Sequence, residues 1–113
     1  MLAVDAHLDL AMNALMWNRD LALSARETRE IERAAGMTQK GRCVGTVGLP
    51  DLRRGEIGLV FATVIARKDH GLGSDIDFRT QEIAYAQAQG QLAFYRALAR
   101  PGQIRLTRNR TDP

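Results

Sequence analysis

Apolar and ionisable residues alternate from position 4 to position 10, where Val4, Ala6, Leu8 and Leu10 interleave with Asp5, His7 and Asp9. A period of two predicts a β-strand with one oily face and one acidic face that carries an imidazole. Residues 57–66 (IGLVFATVIA) follow another pattern, an unbroken apolar run rich in β-branched side chains. Such a run predicts a strand covered on both faces, as in a parallel sheet between helices or a barrel.

Helical signals lie between and after these strands. Residues 11–21 read as a loop or short helical turn leaving the first strand, and its Trp17, Asn18, Arg19 and Asp20 are candidates for a substrate pocket or, equally, for plain packing and solvation. Ser24-Ala25-Arg26-Glu27 is a capping box, and the helix it opens runs to Ala35 and stops at Gly36. Its alternating Arg and Glu residues, with Arg26 and Glu30 one turn apart, predict a solvated helix laced by weak ion pairs. Residues 37–55 read as irregular, apart from a helical turn that Pro50 opens and Gly55 closes.

Asp77 is the expected cap of a long helix over residues 78–99, with Ala84, Ala88, Leu92, Tyr95 and Ala99 as one apolar stripe and Gly90 as a weak point. Arg100-Pro101-Gly102 ends it, and residues 103–107 read as a short extended segment. Thr111-Asp112-Pro113 has the form of a further helix start. The order of strand, helix, irregular excursion, buried strand and long helix is that of an opening (β/α) protein.

Composition narrows the classes. The 113 residues suffice for one domain with a modest core, and 45% apolar and 26% charged residues are ordinary for a globular protein. The net charge of +3 is spread through the chain except at the Arg-rich end, residues 100–110, which lacks aromatic interleaving or a nucleic-acid motif and reads as a solvated segment. No nucleic-acid partner is expected. The single cysteine, Cys43, excludes an intrachain disulfide and reads as structural, despite Lys40 and Arg42 beside it. Lys40-Gly41 lacks the rest of a phosphate-loop pattern. No stretch has the length of a transmembrane helix, and Asp5, His7 and Asp9 interrupt what would be the apolar part of a signal peptide, so a cytoplasmic protein is expected.

The chemistry concentrates at the first strand. Placing Asp5, His7 and Asp9 side by side is costly unless a cation compensates for their charge and desolvation, and His7 and Asp9 are spaced to reach one ion. The plain alternative is a strand end entering a polar loop. His70, after the second strand, is a conceivable further ligand and more simply an ordinary loop histidine.

Residues 4–10 (VDAHLDL), 17–21 (WNRDL), 49–58 (LPDLRRGEIG) and 59–64 (LVFATV), together with weaker similarity through the long helix to Ile104-Arg105-Leu106, make the chain resemble the membrane (renal) dipeptidase family of zinc metallopeptidases, within the amidohydrolase-like TIM barrels. That resemblance implies an α/β fold, the N-terminal part of a (β/α)8 TIM barrel, with residues 1–113 an incomplete portion of a single barrel domain of about 250 residues. It implies a metallodipeptidase that hydrolyses the amide bond of dipeptides with two zinc ions and a metal-activated water. His7 and Asp9 are then ligands of the first zinc. The bridging glutamate and the second zinc's histidines belong to later strands of the family, so this portion alone is expected to be inactive. The competing expectation is a non-catalytic half-barrel interaction module that pairs its open strand edges with a partner or a second copy as a homo-oligomer.

Overall fold

The computed structural model describes residues 1–68, 77–109 and 111, and divides into two compact units, Met1–Thr63 and Val64–Pro113. It is mixed α/β: among the described residues a two-stranded parallel sheet accompanies four helices. The (β/α) order expected from the sequence is therefore present.

In the first unit, β1 (Ala3–Leu8) leads directly into α1 (Leu10–Trp17), followed by α2 (Ala25–Ala34), α3 (Leu49–Arg54) and β2 (Ile57–Ala62). The two strands are parallel neighbours, with Val4 opposite Leu59, Asp5 opposite Val60 and Leu8 opposite Ala62. Of the loop or short helical turn expected over residues 11–21, the helical alternative is the one present, as a two-turn helix whose Leu10, Ala11 and Ala14 form an inward face and are buried. Asn18, with φ 49°, ends α1 in the left-handed conformation.

The ends of α2 and α3 match their sequence signals. Ser24 accepts the Glu27 amide while its own amide donates to Glu27, completing the capping box. Asp51 of α3 also accepts the Ala25 amide at 2.6 Å, so a side chain from one helix caps another. Gly48 precedes α3 where a β-carbon would collide with the Leu23 carbonyl oxygen, which keeps this position small. The Leu49 amide donates to the Leu21 carbonyl at 2.8 Å, and both side chains are buried.

β2 differs from expectation. The apolar run predicted cover on both faces, yet Leu59 is 45% and Phe61 61% exposed, and Val4 on β1 is 60% exposed. The strand also ends at Ala62, short of residue 66. Val4 is paired with Leu59 and Phe61 lies two residues further along β2, so these three exposed side chains share one face of the small sheet.

In the second unit, α4 (Gln81–Ala99) carries the expected stripe: Tyr95 is buried, and Ala84, Ala88, Leu92 and Ala99 are half-buried. Its cap is Thr80, whose hydroxyl accepts the Ile83 amide, and not Asp77, whose carboxylate accepts the Phe78 amide. Gln91 shares the buried face. Its side-chain amide accepts from the Ile65 N–H at 2.8 Å and donates to the Ile65 carbonyl at 2.6 Å, which pairs the backbone as a neighbouring strand would. Residues 103–107 form no strand, and the Asp112-Pro113 part of the helix-start signal lies outside the described residues. No helix among the described residues is long and apolar enough to cross a membrane.

Gly90 sits on the exposed side of α4, and a β-carbon there meets nothing within 4 Å. Gly90→Ala is therefore expected to stabilise the helix by about 1 kcal/mol, through reduced backbone entropy in the unfolded chain. A rise in the thermal midpoint of the second unit checks this, and an unchanged or lower midpoint contradicts it.

Candidate metal-binding site at the ends of the parallel strands

His7 and Asp9 meet at the C-terminal end of β1. His7 Nε2 lies 3.3 Å from Asp9 Oδ1, with the imidazole 75% exposed and the carboxylate 32% exposed. Parallel α/β folds place their ligands at this end of the strands. Thr63, the residue after β2, arrives from the neighbouring strand end, and its hydroxyl donates to Asp9 Oδ1. The backbone closes the same corner, because the Thr63 amide donates to the Leu8 carbonyl at 3.2 Å.

Asp9 stands at the N-cap position of α1, where a carboxylate ordinarily accepts amides of the first turn. It makes no such bond. Its side chain turns to Thr63 and His7 instead, while its carbonyl is held by both the amide and the side-chain Nδ2 of Asn13, the latter at 2.9 Å. Asp5, third of the ionisable trio, is engaged locally, since its Oδ1 accepts the His7 amide at 2.9 Å. The strand therefore brings together two of the three side chains.

This donor pair suits zinc in part. Two ligands about 2.0–2.1 Å from a tetrahedral ion stand roughly 3.3–3.4 Å apart, which matches the His7–Asp9 separation. One neutral nitrogen and one charged oxygen are appropriate donors, and they supply half of a four-coordinate shell. Among the described residues, no group of three or more His, Cys, Asp or Glu side chains is gathered for a metal. His70 lies outside the described residues.

The candidate pocket residues 17–20 have a different role. The Arg19 side chain is buried, only 7% exposed. Its Nε donates to Glu32 Oε1 at 2.8 Å, while its Nη atoms donate to Glu32 Oε2, Asn13 Oδ1 and the Gly41 carbonyl. Arg42 joins Glu32 at 3.1 Å and also donates to the Trp17 carbonyl. The Trp17 ring lies against both guanidiniums, 5.3 Å from Arg19 and 5.0 Å from Arg42. Gly41, at φ 94°, lets the chain pass the indole so closely that a β-carbon would stand 2.7 Å from it. Trp17 and Arg19 are thus structural. Asn18 and Asp20 are exposed, and the Asp20 carboxylate accepts the Ala22 amide.

Glu32 is what the sequence pattern concealed. The prediction of a solvated α2 holds for Arg26 and Glu30, an exposed pair 2.9 Å apart, but Glu32 is only 3% exposed. Ala25, Thr28 and Glu32 form the buried stripe of α2, and Ile31 is 53% exposed. The spacing of 25, 28 and 32 was a usable signal, masked by the charge at its last position. Cys43 belongs to the same node: its amide donates to Glu32 Oε2, and its thiol lies near the Met37 carbonyl.

Compared with family models, curated proteins and solved structures, the chain matches none.

Hydrogen bonds from Arg19, then from the Cys43 amide and Arg42, hold the Glu32 carboxyl down to about 2, against the opposing effect of burial. The carboxyl begins near 4.5 unfolded, so the unfolded chain takes up the proton first as pH falls. The stability contributed is full above about 4.5, declines as pH falls from there and is lost by about 2. Glu32→Gln should destabilise the first unit by about 3–5 kcal/mol and remove that share of the acid dependence, since it leaves Arg19 buried without its counter-charge. Arg26→Ala should change stability by about 0.5 kcal/mol or less. Equal effects of the two substitutions in denaturant titrations would contradict the assignment.

Proposed function

We propose that this chain is the opening part of a zinc-dependent hydrolase of (β/α) barrel type that cleaves the amide bond of dipeptides, with His7 and Asp9 as ligands of one zinc ion. The observation that carries this is the convergence of His7 Nε2 and Asp9 Oδ1 to 3.3 Å at the C-terminal end of a parallel strand. The resemblance of residues 4–10, 17–21 and 49–64 to the membrane dipeptidase family supports it. So does the exposed sheet face that carries Val4, Leu59 and Phe61, since parallel sheets are stable when covered on both sides and further β/α units would supply that cover.

The residues divide the work. His7 offers a neutral nitrogen, and Asp9 an anionic oxygen that offsets part of the charge of a divalent cation. When bound, zinc would supply the Lewis acidity that activates water and polarises the scissile carbonyl. Two ligands hold an ion loosely, so these 113 residues alone are expected to be without dipeptidase activity.

A second reading has its own support in the same exposed apolar side chains and open strand edges: a non-catalytic half-barrel that pairs with a partner or a second copy. It requires no metal.

Zinc titration of the 113-residue chain separates the two. Saturable binding of one equivalent that is lost in His7→Ala and Asp9→Ala is expected for the hydrolase, and in a complete barrel Asp9→Ala should abolish dipeptide hydrolysis. Binding that is unaffected by either substitution, or absent from a chain that sediments as a defined oligomer, would overturn the hydrolase in favour of the interaction module.

A further inference from the structure

We infer that Thr63 is a positioning residue for the metal-ligating carboxylate of Asp9, an inference that rests on the hydrolase reading of the same site. Thr63 is no candidate from the sequence, where it reads as one more β-branched residue in an apolar run. In the fold it occupies the first position after β2, and the parallel pairing of β1 with β2 carries it to the end of the neighbouring strand. Its hydroxyl donates to Asp9 Oδ1, the same oxygen that faces His7 Nε2.

Three features make this more than a chance polar contact. Asp9 forgoes the helix-capping bonds open to it at the start of α1, so its orientation is set by the sheet side of the junction. Its main chain is independently held by Asn13, which leaves the side-chain rotamer as the freedom that remains for Thr63 to fix. Thr63 is itself anchored through its amide to the Leu8 carbonyl, one residue before Asp9, so the hydroxyl comes from a backbone tied to the strand it serves. A hydroxyl that donates to a carboxylate oxygen restricts its rotation, and a carboxylate already turned toward His7 is better placed to hold a cation. Outer contacts of this type commonly contribute 10–100-fold to metal affinity.

The test is a calorimetric titration of Zn²⁺ alone into the full chain, beside metal-free melting curves, for the unaltered protein and for Thr63→Val, Thr63→Ser and Asp9→Asn. Each substitution at position 63 preserves the backbone bond to Leu8, which isolates the side chain. Zinc affinity is expected to fall about 10-fold or more in Thr63→Val and to return to within about twofold in Thr63→Ser, with melting midpoints unchanged, while Asp9→Asn loses the site. If Thr63→Val binds zinc as the unaltered chain does while Asp9→Asn does not, Thr63 has no positioning role and the metal site stands. If both Thr63 variants weaken equally and also melt lower, the contact is structural and the inference is overturned. If Asp9→Asn binds zinc as tightly as the unaltered chain, the metal site itself is wrong and Thr63's role goes with it.

Discussion

The first unit is built around a buried carboxylate. Glu32 occupies the inward face of α2 where a hydrophobic side chain would ordinarily sit, and it gathers Arg19, Arg42 and the Cys43 amide around itself. Removing an ion from water is costly, and the Coulomb attraction of one partner rarely offsets it. Here two guanidiniums and a backbone amide share the task, and the Trp17 ring shields both cations. The result ties α1, α2 and the segment after α2 together at one point. That segment contains few large apolar residues, so an ionic node replaces the hydrophobic contacts it cannot make.

From that node a chain of contacts leads to the strand ends. Arg19 donates to Asn13 Oδ1 at 2.7 Å, and the other end of the same amide donates to the Asp9 carbonyl at 2.9 Å. Asn13 sits one turn after Asp9, so α1 acts as a short rigid lever between the buried charge and the β1–α1 junction. Asp9 is then held on its main chain from the helix side and on its carboxylate from the sheet side, by Thr63. His7 is held less closely, and its imidazole is largely open to solvent. A pair with one ordered carboxylate and one accessible imidazole suits the uptake of a cation from solution.

Much of this was legible along the chain. The alternation at residues 4–10, the capping box at Ser24, the Pro50–Gly55 turn and the apolar stripe of α4 all carry short-range patterns that sterics and hydrogen bonding impose. What escaped detection depended on long-range contacts. Glu32 looked like its neighbours Glu27 and Glu30 because nothing local marks it as buried, and its partners lie 13 and 10 residues away. Gln91 was hidden within a polar stretch, although it completes the hydrogen bonding of Ile65. Thr63 could be recognised only once β2 was known to pair in parallel with β1. The composition of β2 implies burial on both faces, but burial depends on the neighbours present, and Leu59 and Phe61 stay exposed.

The most direct measurement is nitrogen-15 NMR of the histidine side chains during zinc addition. On zinc addition the Nε2 resonance of His7 is expected to move to the position of a metal-bound nitrogen, and the Asp9→Asn chain is expected to show no such change. A His7 imidazole whose resonances are indifferent to zinc, in a chain that is otherwise folded, would contradict it.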